Sequence, residues 1–368
     1  MITAELRIII VFLVALFGAL FVLPELAHIA KRIGLIDHPN RRKVHTSPQP
    51  LVGGIGIVIA ATFSSLALVP ITGLRGYFLG LSLLLLVGFL DDFKEVGHKQ
   101  KFLAQIGATM LLIFFSAVSL RTFGDLLGIG NLDIPGGEIV IWCVTVFCIV
   151  GVINSINLID GLDGLAGGVS FIAFFFFALH ASFSGDVPLM LLNFALAGAV
   201  LGFLKYNWYP SVLFMGDAGS LCLGFSLGFM ALALTQGSAA AMPPVAALLI
   251  LAVPITDTLL IMSKRIINGS NPFLPDKFHL HHIFMRLGLS KLWTVKAILG
   301  LSFFMGALSL LFPLYFIPEY YLFAAFCLYF IICTVASFFI PRLLRYSRRF
   351  KKKKPKHGEI QYSQSANG

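Results

Sequence analysis

Four short polar segments interrupt an otherwise apolar chain, and each carries side chains able to do chemistry. The first, Asp91 to Glu95, sets two carboxylates side by side at Asp91 and Asp92. They repel, so at least one needs a cation, a basic partner or a raised pKa. The second, Asn154 to Gly164, and the third, Asn207 followed by Phe214 to Ser220, hold Asn157, Asp160, Asp163 and Asp217. These are hard oxygen donors of the kind Mg²⁺ accepts, a few from protein and the others from phosphate and water. Glycines at 161, 164, 216 and 219 let main chain approach a ligand closely and leave N–H donors uncovered. The fourth, Pro272 to His282, brings His279, His281 and His282. With Lys43, His45 and Arg286 these could neutralise a diphosphate. Acidic metal ligands beside basic phosphate clamps point to phosphoryl transfer, where catalysis is mostly positioning and charge stabilisation.

Singly, each segment has a plainer reading. An Asp-Asp pair at a helix end is a solvated boundary, Gly-Leu-Asp-Gly is a turn, and His-Leu-His-His is an interfacial loop. Asp257 lies within an apolar run, either paired with a neighbouring helix or near a membrane mouth. Phe174 to Phe177 reads as packing or lipid-facing surface, and His28, His98, His180 and His357 read as incidental. The catalytic reading comes from the four segments jointly.

The elements that must position them are membrane helices. Of 368 residues, 58% are hydrophobic and 12% charged, and the mean hydropathy is +0.91. No single aqueous core absorbs that much apolar surface, so lipid is the solvent for most of the chain. Eleven apolar runs approach helical span length, near 6–24, 51–70, 77–90, 102–119, 139–156, 166–183, 187–204, 218–236, 242–262, 297–316 and 320–340. A crossing needs roughly 20 residues, so the run at 77–90 is short and ten spans is the alternative count. The first run is followed by a basic loop rather than a small-residue cleavage site, and reads as a retained span. With the N-terminus outside, 24 of the 27 Lys and Arg fall on the inside, and only Arg7, Arg75 and Arg121 fall outside. That lopsided count supports an odd number of spans and a cytoplasmic C-terminus. All four polar segments then share the cytoplasmic face, and the net charge of +10 is a topology signal, with no nucleic acid implied.

The expected fold is therefore an all-α polytopic bundle over residues 1–341, followed by a basic, unstructured cytoplasmic tail over 342–368. The tail reads as a topology anchor, with anionic headgroups as its other use. Five cysteines lie in apolar stretches without metal-like spacing and imply neither disulfides nor zinc.

These motifs resemble the polyprenyl-phosphate N-acetylhexosamine-1-phosphate transferases, relatives of the muramoyl-pentapeptide translocase. Asp37 to His45 with Pro50 to Gly54 is similar to that family's first cytoplasmic loop. Asp91-Asp92, Asn154 to Leu165, Phe214 to Ser220 and the His279–His282 segment match its acidic pair, its Asn-rich Asp-Gly-Leu-Asp-Gly segment, its Phe-Met-Gly-Asp segment and its histidine loop. The resemblance implies that Asp217 and Asn157 bind Mg²⁺, with Mn²⁺ as a substitute, on the diphosphate of a UDP-sugar. Asp160 and Asp163 would line that site, with Gly161 and Leu162 near the uracil, Phe214 stacked on it and Asn207 holding the nucleoside. Asp91 would deprotonate or orient the lipid phosphate, with Asp92 supporting it. Lys43, His45, His279, His281, His282 and Arg286 would surround the phosphates and sugar.

The implied partners are a UDP-N-acetylhexosamine, undecaprenyl phosphate and membrane lipid, with a homodimer left open. Two departures matter. Glu95 stands where the family often has Asp or Asn, and Leu280 interrupts the run of histidines typical of the muramoyl-pentapeptide branch. Glu95 is therefore assigned no role, and the interrupted histidine run favours the GlcNAc-1-phosphate branch, serving cell-surface polysaccharide or teichoic acid, over a peptide-bearing donor. A transporter or flippase would instead carry its ionisable residues at mid-membrane on repeated halves. The chain shows no such repeat.

Overall fold

The computed structural model describes residues 4–38, 48–69, 73–237, 240–267, 269 and 279–353. Among them the chain is helical apart from one two-stranded ribbon, a long non-helical connection over 117–137 that carries a Thr122–Asp133 bridge, and shorter connections. The order is α1 (Ala4–Ile33), β1 (Ile36–Asp37), β2 (Gln49–Pro50), α2 (Gly53–Leu68), α3 (Arg75–Lys94) and α4 (His98–Ser116). There follow α5 (Glu138–Ile159), α6 (Leu165–Ser184), α7 (Val187–Asn207), α8 (Gly216–Thr235), α9 (Pro244–Ile250) and α10 (Ala252–Ile267). The chain ends with α11 (Leu280–Arg286), α12 (Lys291–Ser309), α13 (Leu311–Tyr315) and α14 (Glu319–Lys353).

All eleven expected apolar runs fall on helices. Among the described residues eight helices are long and apolar enough to cross a membrane, or nine if α9 and α10, bent by 77° at their junction, form one broken span. The expected count of eleven is therefore not reached by length and composition. The sixteen-residue α2 is too short, and α4 opens on His98, Lys99, Gln100 and Lys101. A further correction concerns the tail. Helix α14 continues to Lys353, so the segment expected to be unstructured from residue 342 begins as helix.

Burial separates hub from rim. In α8, 89% of the apolar stretch lies inside the protein, against 22% for α1 and 28% for α14. Rim helices turn Phe21, Phe63 and Phe147 outward, as a lipid solvent allows. Around α8 stand α2, α3, α5 and α6, and small residues let main chains meet. A β-carbon on Gly54 of α2 would run into the Gly219 main chain, and one on Gly88 of α3 would run into Ala218. Without hydrophobic drive inside lipid, such close packing and buried hydrogen bonds hold helices together. Tyr77 of α3 adds both, sharing a 2.9 Å hydrogen bond with Ser226 and stacking on Phe229 at 4.8 Å. Of the Phe174 to Phe177 run, Phe174, Phe176 and Phe177 are buried and serve as packing. The five cysteines are free thiols.

The ribbon pairs Ile36 with Pro50 and Asp37 with Gln49, antiparallel. Phe214 N–H then donates to Pro50 O, and Gly53 N–H to Phe214 O, both at 2.9 Å. The first loop is thereby tied to the segment leading into α8.

The Gly54 contact makes a sharp prediction. Gly54→Ala should lower the melting temperature of the detergent-extracted protein, because overpacking costs about 1–3 kcal/mol and main chain yields poorly. Gly151→Ala, inside α5 with nothing within 4 Å of the added carbon, should not lower it and should raise it slightly through helix propensity. Thermal unfolding followed by size exclusion compares them.

Candidate active site

The floor of the site is assembled at the start of α8. Gly216, at φ 72°, turns the chain into the helix and faces Asp92. Asp92 Oδ1 accepts from Asp217 N–H at 2.7 Å and Oδ2 from Ala218 N–H at 3.1 Å. A carboxylate from α3 thus caps another helix, meeting its orphan N–H groups and its positive dipole end. That fixes where Asp217 points. Its Oδ2 accepts from Lys101 Nζ at 2.7 Å and its Oδ1 from Asn157 Nδ2 at 2.9 Å. Lys101 also donates to Asp91 Oδ2 at 2.8 Å, so one ammonium joins two carboxylates from separate helices. Asn157 donates in addition to Ser220 Oγ at 2.7 Å.

One turn deeper, Asn154 Nδ2 donates to Gln105 Oε1 at 2.8 Å. Lys101 and Gln105 share a face of α4 at four-residue spacing, and Asn154 and Asn157 share a face of α5. The two helices are therefore registered by polar contacts at successive turns.

Beyond α5 the chain bends through Asp160 to Gly164. Gly164 takes φ 78° and packs against the Trp208 ring. Asn207 Oδ1 accepts from Gly164 N–H at 2.9 Å, and its Nδ2 donates to Leu213 O at 3.0 Å. Asp163 Oδ2 accepts from Ser211 N–H at 3.2 Å. The Asp160 residue is open to solvent on one side yet ringed by protein. That surrounding protein, then the charges of Asp217 and Asp163, push its carboxyl up to about 7.

Over this loop lies the histidine segment. A β-carbon on Gly161 would sit 3.1 Å from His281 Cε1. His281 stacks on His279 with centroids 5.3 Å apart and lies 4.2 Å from His282. Burial, then the neighbouring rings of His282 and His279, lower His281 to about 3, so it acts as a neutral imidazole. The segment is held from below by Asp257 of α10, through His279 Nδ1 at 2.9 Å and Leu280 N–H at 2.6 Å.

The expected residues therefore gather at one end of the bundle. Asp91, Asp92, Asn157 and Asp217 form the floor, Asp160 to Asp163 the wall, and His279, His281 and His282 a cover. Arg286 closes α11 at an exposed position, and Phe214 joins the site through its main chain. Asn207 is buried, and both ends of its amide hold main chain in place. Lys43 and His45 lie outside the described residues.

Lys101, Gln105 and Ser220 were not singled out from sequence, and Asp257 was left between a helix-pairing and a membrane-mouth reading, of which the structure shows pairing, with the histidine segment. The available signals were a lysine and a glutamine four apart at the head of an apolar helix, and a lone acid within an apolar run. Among the described residues no three His, Cys, Asp or Glu side chains form a ready metal cage. Mg²⁺ does not require one, since it keeps waters and phosphate oxygens and takes one or two carboxylates. Asp217, with Asn157 beside it and Asp91 across a shared cation, fits that donor set.

Comparison with known proteins shows the family. The sequence profile of glycosyl transferase family 4 matches residues 74–235. A Bacillus subtilis (strain 168) protein named probable undecaprenyl-phosphate N-acetylglucosaminyl 1-phosphate transferase is 33% identical over 315 residues, 83% of this chain and 85% of that protein. Proteins named undecaprenyl-phosphate alpha-N-acetylglucosaminyl 1-phosphate transferase are 32% identical in Yersinia pestis, over 88% of this chain and 90% of theirs, and in Salmonella typhi, over 89% and 92%.

Two variants test the electrostatics. Lys101→Met leaves Asp91 and Asp217 without their shared cation. It should cost about 1–3 kcal/mol of stability, part of it restored by added Mg²⁺ in a thermal melt. Asp160 has a folded pKa raised from 3.8 to about 7, so its contribution to stability is present below the lower value and lost as pH rises through the upper one. Asp160→Asn should therefore melt above the parent protein at about pH 8 and close to it at about pH 4.

Proposed function

The chain belongs to glycosyl transferase family 4, and from that membership we propose that it transfers GlcNAc-1-phosphate from UDP-GlcNAc to undecaprenyl phosphate. A phosphate oxygen of the lipid attacks the phosphorus that bears the sugar. The bond from that phosphorus to the bridging oxygen breaks, UMP departs with that oxygen, and undecaprenyl-diphospho-GlcNAc remains. The observation that carries this reading is the sharing of Lys101 by Asp91 and Asp217. An acid that faces the acceptor and an acid that faces the donor are held within reach of one cation.

Asp91 takes any remaining acceptor proton and holds the lipid phosphate in line. Lys101 stabilises negative charge between the two substrates, which is where charge is redistributed in phosphoryl transfer. Asp92 keeps Asp217 at its station. Asn157 and Asp217 would hold Mg²⁺, or Mn²⁺ in its place, and that ion would supply charge neutralisation on the donor diphosphate. The histidine cover, with Arg286, meets the diphosphate from above and excludes water. In this reading the site end of the bundle faces the cytoplasm of a bacterial cell and the N-terminus lies outside, supported by the inside bias of 24 of the 27 Lys and Arg. An acceptor anchored in the bilayer suits a floor lying at the ends of membrane helices.

UMP release by the purified protein in detergent tests the reaction, with lipid, metal and each of several UDP-sugars omitted in turn. UMP should form only when all three are present, and with UDP-GlcNAc as the preferred donor. Asp217→Ala should lose at least about 10²–10³-fold in rate while still inserting in membranes. Retained turnover in that variant rejects the metal assignment, and absence of UMP from every donor rejects the reaction.

A further inference from the structure

Asp257 stands apart from the floor. It sits in α10, the second arm of the bent pair, and is only 2% exposed. An ionisable side chain shut into a membrane bundle needs a partner, because leaving it bare costs several kcal/mol. Both of its oxygens are engaged by consecutive residues of the histidine segment, Oδ2 by His279 Nδ1 and Oδ1 by Leu280 N–H. Because a carboxylate oxygen accepts, His279 carries its proton on Nδ1 and keeps Nε2 for another partner.

From His279 the contacts continue. Its ring lies nearly parallel to His281, at 13°, and His281 lies against Gly161 in the loop beside Asp160. Helix α11 is seven residues long, too short to hold its own orientation in isolation. Its entry is tied instead by two hydrogen bonds to a single carboxylate.

We propose that Asp257 is the positioning residue of the histidine cover, fixing the tautomer of His279 and the placement of His281 over the donor-binding loop. What the cover acts on rests on the reaction proposed above; the anchoring itself does not. Carboxylates that orient a working histidine from behind are worth about 10–100-fold when removed from comparable arrangements. Asp257→Ala should accordingly lower kcat/KM for the UDP-sugar by about that factor, with the KM for undecaprenyl phosphate unchanged because the acid floor is untouched. Asp257→Asn, close in shape and keeping one acceptor oxygen, should fall between.

The experiment compares Asp257→Ala, Asp257→Asn, His279→Ala and the Asp257→Ala/His279→Ala double variant in the UMP assay. In parallel, modification of His279 by diethyl pyrocarbonate is read by mass spectrometry. If Asp257 acts through His279, the double variant is no slower than His279→Ala alone, and His279 is modified faster once Asp257 is removed. Losses that multiply in the double variant would make Asp257 an independent structural residue and overturn the proposal. So would an unchanged His279 modification rate in Asp257→Ala. Asp217→Ala should abolish turnover and leave that modification rate at the parental level. A wrong reaction therefore shows as absent UMP with the modification result intact, and a wrong anchor shows the reverse.

Discussion

A single carboxylate bonded to two main-chain N–H groups determines where everything else in the site can stand. Asp92 closes the exposed end of α8 from a neighbouring helix, and the partners are backbone, which cannot rotate away as a side chain can. Helix α8 is the most enclosed of the long helices, so its body is held by its neighbours while its first turn stays partly open. The cap orients that turn. Asp217 then has one direction to face, and Lys101, Asn157 and Ser220 are arranged around it. Removing one partner of such an arrangement leaves the others buried without compensation, a larger penalty than the net value of any single hydrogen bond.

The electrostatic logic is one of shortage. Asp91, Asp92 and Asp217 crowd the floor; among the described residues Lys101 is the ammonium that bridges two of them, and the cap absorbs the third acid through main-chain dipoles. Negative charge is held in place without being saturated with protein cations. On the proposed reaction, a floor of that kind would accept a divalent ion arriving with a diphosphate, whereas a fully paired cluster would have to be dismantled first. On the opposite side the neutral His281 contributes hydrogen-bonding capacity without adding a fixed positive charge. In the proposed reaction the fixed positive charge on that side would come from Arg286, and His281 would add a hydrogen bond without a second ion pair.

Much of this was legible in the residues. The eleven apolar runs lie on helices because lipid permits only fully hydrogen-bonded backbone to cross, and the four polar segments lie together because antiparallel spans return them to one end. What stayed hidden depended on tertiary contact. Lys101 looked like one more inside charge, since nothing local tells a topology lysine from one that bridges two acids. Asn207 carried a motif position but turned inward, because the bend at Gly164 needs an acceptor for its N–H. Asp257 was an unresolved acid in an apolar run, and its partner lies 22 residues onward in sequence. The shortfall in spans has a local cause: α2 is short, and the head of α4 is polar because Lys101 must reach the floor.

The seam where Gly54 meets Gly219 and Gly88 meets Ala218 also bears on how such an enzyme can escape a drug. Resistance often arises when a side chain beneath a bound inhibitor grows and pushes it out. Beneath Asp217 that route is closed at Gly54, Gly88 and Gly219, because a side chain added there strikes the main chain of a neighbouring helix. Escape must come from the cover and the wall, where side chains are exchanged without disturbing a helix. A compound that leans on the floor and ignores the histidines would therefore leave the fewest ways out.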